Sequence, residues 1–206
     1  VYKRQFRDRR IAFGSDNAVF VSNSLGATWP DSLDFAYGQA AMDIVVLPDI
    51  PNTIHVLTPL EMITTTNTGM TENFFQEGLA PITFMMDLEP WSAGTDSLLV
   101  ADQRGPLWQF VDRQRFIEVG PDENSNKYVC RIDPSNGSRI LVGSSVGLWR
   151  SEDRLESWSR VEDGMPADGA EIWAIESAVS AVVAGVRAEI CMIPLPSLIR
   201  SVTAAR

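Results

Sequence analysis

SEDRLESW at residues 151–158 has a counterpart in SNSLGATW at residues 22–29. Each places Ser seven residues before Trp, and the copies lie 129 residues apart, three times 43. One step of 43 beyond Ser22 the chain reads TTNTGMTE at residues 65–72, with Thr65, Asn67, Gly69 and Thr71 where the first copy has Ser22, Ser24, Gly26 and Thr28. The same step relates IAFG at 11–14 to IHVL at 54–57, and three steps relate it to ILVG at 140–143. Independent anchors sharing one period make a repeat.

The third unit is the most altered. LLVADQRGPLWQFVDRQRFIEV at 98–119 follows ILVGSSVGLWRSEDRLESWSRV at 140–161 once a residue is inserted near Pro106 and one removed after Arg113, which places Trp108 on Trp149 and Asp112 on Asp153. A fifth start appears as AVVAGVRAEICMI at 181–193. A further landmark is an apolar run ending in a turn: IVVLPDIPN at 44–52, MMDLEPWSAG at 85–94 and CRIDPSNG at 130–137, with residues 174–177 in that place in the fourth unit. Each unit thus reads as four short strands joined by Pro, Asn and Gly turns. EIWAIESAVSAVVAGV at 171–186, the one candidate helix, fits the register better as strand, turn and strand. Four strands per 43 residues predict an all-β chain, a β-propeller of four-stranded blades. Residues 11–206 supply four units and a partial fifth, and residues 1–10 are expected to lie outside the fold. The count, the start without Met and the end in SLIRSVTAAR predict an incomplete propeller, part of a longer one of roughly six to eight blades. The alternative is a small closed ring in which the strand near Ile190 pairs with the first unit.

A chain of 206 residues with 45% apolar side chains can bury a sizeable core. Its net charge is −10, and VYKRQFRDRR at the start carries five bases and one acid, leaving the remainder near −14. That balance argues against nucleic acid or an anionic membrane as partner. No run approaches the length of a membrane-spanning helix, so no membrane insertion is expected. Two cysteines, Cys130 and Cys191, define no disulfide framework and read as buried thiols. His55 has no Cys or His at ligand spacing, so neither a metal nor another cofactor is expected. Met62, Met85, Met86 and Met192 read as core filler.

Within the repeated box, a polar side chain at the third position can bond its own turn, Gly permits a positive φ, and Trp packs the hairpin. The box resembles the Asp-box, or BNR repeat, S/T-x-D-x-G-x-T-W, of sialidase-like propellers in the wider WD40/YVTN/BNR-like group. The first copy keeps Ser22, Gly26, Thr28 and Trp29 with Ser24 for Asp. The second keeps Thr65, Gly69 and Thr71, with Asn67 for Asp and Glu72 for Trp. The copy at 151–158 keeps Ser151, Asp153, Ser157 and Trp158, with Leu155 for Gly. The resemblance covers about residues 11–193. It implies sialidases, xyloglucanase-like glycoside hydrolases, sortilin-type receptors and photosystem II assembly factors as relatives, and export or a periplasmic location. It also implies that boxes lie on the face opposite a ligand site.

The opposite face should then be built from residues 14–18, 58–61, 101–106, 143–147 and 185–189, and from the links at 30–39, 77–83, 120–127 and 162–171. Acids there (Asp16, Asp34, Asp102, Asp163, Asp168) are the candidates for the carboxylate pair a glycosidase needs. Asp and Glu in turns more commonly bond their own backbone. Arg104 and Arg187 fall on that face, Tyr37 is the one Tyr placed as a nucleophile would be, and Trp91 in a turn could stack on a sugar. No arginine motif like that of sialidases accompanies them, which disfavours sialidase chemistry. Short loops favour a non-catalytic module binding a protein or a carbohydrate. The alternatives are a polysaccharide-acting glycoside hydrolase and an assembly-factor or receptor-type propeller.

Overall fold

The computed structural model describes residues 4–7, 10–15, 18–34, 40–46, 53–59, 61–66, 72–75, 85–91, 97–112, 114–121, 124–163, 165, 170–178, 181–186 and 190–194. These residues form strands and turns. Sheet 1 holds β1 (Arg4–Arg7), β2 (Arg10–Gly14), β3 (Ala18–Ser22) and β4 (Asp31–Asp34), and sheet 2 holds β5 (Asp43–Val46), β6 (Ile54–Leu57), β7 (Met62–Thr65) and β8 (Glu72–Phe75). Sheet 3 follows with β9 (Met85–Pro90), β10 (Leu98–Asp102), β11 (Leu107–Val111) and β12 (Arg115–Glu118), and sheet 4 with β13 (Lys127–Asp133), β14 (Asn136–Ser144), β15 (Gly147–Ser151) and β16 (Ser159–Val161). Sheet 5 has three described strands, β17 (Ile172–Ala178), β18 (Ala181–Val186) and β19 (Ile190–Pro194). In every sheet the strands lie in chain order, each antiparallel to the next. The described residues of the stretch at 171–186 form two antiparallel strands, β17 and β18, rather than a helix, as its register predicts.

The registers repeat with the sequence. Ile11 faces Ser22, Ile54 faces Thr65 and Ile140 faces Ser151, so each box opens opposite the same isoleucine. In sheet 3, Val100 faces Trp108 as Val142 faces Trp149. First strands of successive sheets lie against one another, β1 with β5, β5 with β9, β9 with β13 and β13 with β17. We call them the inner strands.

Four cores fill the spaces between consecutive sheets. Ala12, Val19 and Val21 meet Ile44, Val46, Val56 and Ile63 between sheets 1 and 2. On the other face of sheet 2, Val45, Leu57 and Met62 meet Met85, Leu98, Val100 and Phe110. Leu99, Ala101 and Leu107 of sheet 3 pack on Cys130, Ile140 and Val142, while Val129, Leu141 and Leu148 pack on Ile172 and Ile175. A sheet buried on both faces needs strands apolar at successive positions, which is why IHVL and ILVG show no alternation. Close approach fixes Gly143: a Cβ there would lie 2.6 Å from the Ile172 carbonyl oxygen and 2.6 Å from Val129 Cγ1. Gly14, at the matching place in sheet 1, would put its Cβ 2.8 Å from that of Ala41.

Two expectations need correction. Residues 1–10, read as lying outside the fold, contribute β1, whose Arg4, Gln5, Phe6 and Arg7 pair with Phe13, Ala12, Ile11 and Arg10. Ladder bonds come from the main chain, so a basic composition does not prevent pairing. The link read at 30–39 begins with β4, whose Ser32 faces Phe20.

Candidate ligand-binding face

The boxes lie where the third strand passes to the fourth, and their side chains serve their own turns. In the first, Ser22 Oγ accepts from Gly26 N at 2.8 Å and Ser24 Oγ accepts from Thr28 N at 2.8 Å. In the copy at 151–158, Ser151 Oγ accepts from Leu155 N at 2.9 Å and Asp153 Oδ1 accepts from Ser157 N at 2.9 Å. The Ser157 hydroxyl donates to Asp153 Oδ2, and these bonds from Ser157 hold the Asp153 carboxyl below the usual carboxylate range. Both turns place consecutive residues at positive φ, Leu25 and Gly26 at 56° and 87°, Arg154 and Leu155 at 60° and 75°. Trp158 Nε1 donates to the Val119 carbonyl at 3.0 Å, tying this box to sheet 3, whereas Trp29 is exposed. Thr65 is buried at the end of β7; Asn67, Gly69 and Thr71 lie outside the described residues.

At the opposite end, the turns from second to third strand share another device. Ser15 Oγ donates to the Ala18 carbonyl, Thr58 Oγ1 to that of Glu61 and Ser144 Oγ to that of Gly147. Asp102 holds the same place in sheet 3. It is fully buried, and its carboxylate accepts from Arg104 N at 2.9 Å and from Trp108 Nε1 at 3.2 Å. Asp163 is exposed in the turn after β16. Asp16, Asp168, Arg187 and Tyr37 lie outside the described residues, and Asp34 closes β4. Trp91 is half-buried on the core between sheets 3 and 4, at the β9–β10 turn and hence at the box end, away from Arg104.

Inner strands carry acids that the sequence reading missed. Asp43 Oδ2 accepts from Leu88 N at 2.8 Å, and Asp87 Oδ2 accepts from Cys130 N at 3.0 Å, each bond joining one sheet to the next. Glu89 Oε1 accepts from Ile132 N at 3.2 Å. Arg131 completes the group, 2.6 Å from Asp87 Oδ2 and 3.7 Å from Glu89 Oε2. Burial raises the Glu89 carboxyl to about 7 although Arg131 pulls the other way. Burial works against the Arg131 charge too, yet Asp87 and Glu89 outweigh it and raise its pKa. The available signal was Met-Asp-Ile at 42–44 matched by Met-Asp-Leu at 86–88.

The loop end of the inner strands has a repeated irregularity. Register shifts fall between Ala101 and Asp102, whose partners Asp87 and Met85 skip Met86, between Lys127 and Val129, and between Ile172 and Ala174. The skipped residues are Met86, Tyr128 and Trp173, because a bulge leaves one residue out of the ladder and re-aims its side chain. Tyr128 and Trp173 stack across the junction of sheets 4 and 5, ring centroids 3.8 Å apart and planes 11° apart. Tyr128 is buried, Trp173 is 42% exposed, and Trp173 Nε1 donates to Glu171 Oε2 at 3.2 Å. Asn126 Nδ2 lies 3.5 Å from the Tyr128 hydroxyl. Asn126 also lines a cavity of about 260 Å³ with Arg104, Gly105, Pro106, Glu118, Pro121, Asn124 and Ser125. Ser125 of that lining accepts from the buried Lys127 Nζ, at its carbonyl at 2.6 Å and at its Oγ at 3.1 Å.

No protein-family model and no curated protein matches the sequence. Solved structures do. The extracellular domain of a B. thetaiotaomicron protein assigned to a hybrid two component system is similar at TM-score 0.69 and 13% identity, over 92% of this chain and 26% of that one. The GH74 xyloglucanase from Xanthomonas campestris is similar at TM-score 0.69 and 15% identity, over 94% of this chain and 36% of that one. The β-propeller domain of Cps50 (Swd1) from Myceliophteria thermophila is similar at TM-score 0.70 and 10% identity, over 97% and 68%. The chain thus spans about a quarter to two thirds of these proteins, and its fold is that of a β-propeller. Both enzymes and WD40 domains share that fold, so the fold leaves the function open.

Proposed function

We propose that this chain is a non-catalytic binding module, a propeller of Asp-box blades with a period near 43 residues, whose ligand seat is the end of the sheets opposite the boxes. An exported location goes with this reading, supported by the similarity to an extracellular domain. The observation that carries it is how the acids are used. Asp43, Asp87 and Glu89 join neighbouring sheets through backbone N–H groups, while Asp102 and Asp153 hold their turns. Among the described residues, the cavity on the loop end contains one carboxylate, Glu118, where a glycosidase needs two.

The competing hydrolase reading rests on Glu89 and Asp87, an acid raised to about 7 beside one ion-paired to arginine. A glycosidase acid must reach the glycosidic oxygen, and Asp87 is 4% exposed with its Oδ2 already shared by Cys130 N and Arg131. The test is release of reducing ends from cellulose, xyloglucan, mannan and chitin. No turnover is expected. Turnover abolished by Glu89→Gln or Asp87→Asn would establish the hydrolase instead.

A further inference from the structure

We infer that the Tyr128–Trp173 stack and the cavity beside it form a binding site for a neutral oligosaccharide, one pyranose ring lying on the open face of Trp173. The inference rests on reading this end of the sheets as the ligand seat, and it names the ligand class. Its first support is the exposure of Trp173 under restraint. A large aromatic left 42% exposed loses the stabilisation of burial. Here the ring is nevertheless fixed from two sides, by the parallel Tyr128 ring and by the Glu171 carboxylate on its Nε1. A fixed ring has already lost the rotamer freedom that binding would otherwise remove, which favours affinity.

The second support is the backbone. Bulges recur at the same end of three inner strands and expel Met86, Tyr128 and Trp173 from their ladders. A bulge breaks local pairing, and its use is to aim a side chain. The third support is the cavity's chemistry. Arg104 and Glu118 offset one another, and Asn124, Ser125 and Asn126 offer amide and hydroxyl groups, a lining suited to uncharged hydroxyls rather than to an anion. Asn126 lies at both the cavity and the Tyr128 hydroxyl, so the cavity adjoins the stack on its Tyr128 side, and an oligosaccharide with one ring on the outer face of Trp173 reaches it by running past the edge of the stack. A peptide would instead be expected to pair with an exposed strand edge or fill an apolar groove.

The test is titration of the chain with cellohexaose, mannohexaose and chitohexaose, followed by calorimetry and by the indole N–H resonances. At least one sugar is expected to bind saturably and to shift the Trp173 indole signal. Trp173→Ala should weaken that binding at least tenfold, Trp173→Phe less, and Asn126→Ala several-fold, with melting curves near that of the unaltered chain. If Trp173→Ala unfolds, the Trp173 indole shift and the Asn126→Ala variant carry the test. No binding by any of the three sugars would overturn the inference, as would binding indifferent to both positions or a proline-rich peptide taking the site while the sugars do not. The same samples are checked for new reducing ends. Hydrolysis overturns the non-catalytic reading, whereas absence of binding without hydrolysis overturns this inference alone.

Discussion

The box turns at 22–29 and 151–158 and the bulges at Tyr128 and Trp173 are both repeated backbone devices, yet they treat side chains in opposite ways. In the boxes the side chain makes the turn. Ser22 and Ser151 accept from the fifth residue of the box, Ser24 and Asp153 from the seventh, and both turns require left-handed backbone at the same two places. Residue types there are confined to what the turn can use. At the bulges the backbone does the work and the side chain is released from it, so Met86, Tyr128 and Trp173 can differ. Function is to be sought where the fold leaves the side chain free.

Positions that make the fold should change stability and leave binding intact, and the largest effect should come where sheets touch. Gly143→Ala drives a methyl into the Ile172 carbonyl and Val129, and should cost about 3 kcal/mol by urea denaturation. Gly137→Ala, with nothing within 4 Å of its added Cβ, should cost less than about 1 kcal/mol.

An effect of similar size is expected from Glu89 and pH. Its carboxyl is raised from 4.5 to about 7 in the folded chain, so between those values the folded state holds a proton that the unfolded state has released. The associated stability is complete below pH 4.5 and lost as pH rises through about 7, on the order of 3 kcal/mol. Glu89→Gln keeps an oxygen for Ile132 N and should flatten that fall in denaturation curves at pH 5 and pH 8.

Smaller still is the box itself. Asp153→Ala removes the acceptor of Ser157 N and of two hydroxyls, and should lower stability in the same urea curves by less than Gly143→Ala does, as loss of a side-chain cap would. Because its pKa is lowered, the Asp153 contribution is present above the ordinary carboxylate range and disappears as pH falls. The converse change, Ser24→Asp, should leave stability unchanged or raise it by at most about 1 kcal/mol.

Much of the fold was legible because a period of 43 needs only the identity of a few residues, Ile11, Ile54 and Ile140 with Ser22, Thr65 and Ser151, and these are the residues that pair. β1 was not legible, since its basic residues say nothing about main-chain bonds. The candidate site was legible only in part. Arg104, in the turn from β10 to β11, lines the cavity. Asp102 looked like any turn acid, and only its burial and the Trp108 indole reveal its role. Nothing in the sequence marks Tyr128 or Trp173, because a bulge depends on the register of two strands and leaves no sign in one.

The most direct test compares Asp153→Ala with Trp173→Ala on two axes, melting temperature and affinity for whichever hexasaccharide binds the unaltered chain. Asp153→Ala is expected to lower the melting temperature by several degrees and to leave affinity within twofold, while Trp173→Ala lowers affinity at least tenfold with little change in melting. If Asp153→Ala abolishes binding in a chain that still melts cooperatively, or Trp173→Ala leaves affinity intact, the division between a box end that makes the fold and a loop end that meets the ligand is wrong.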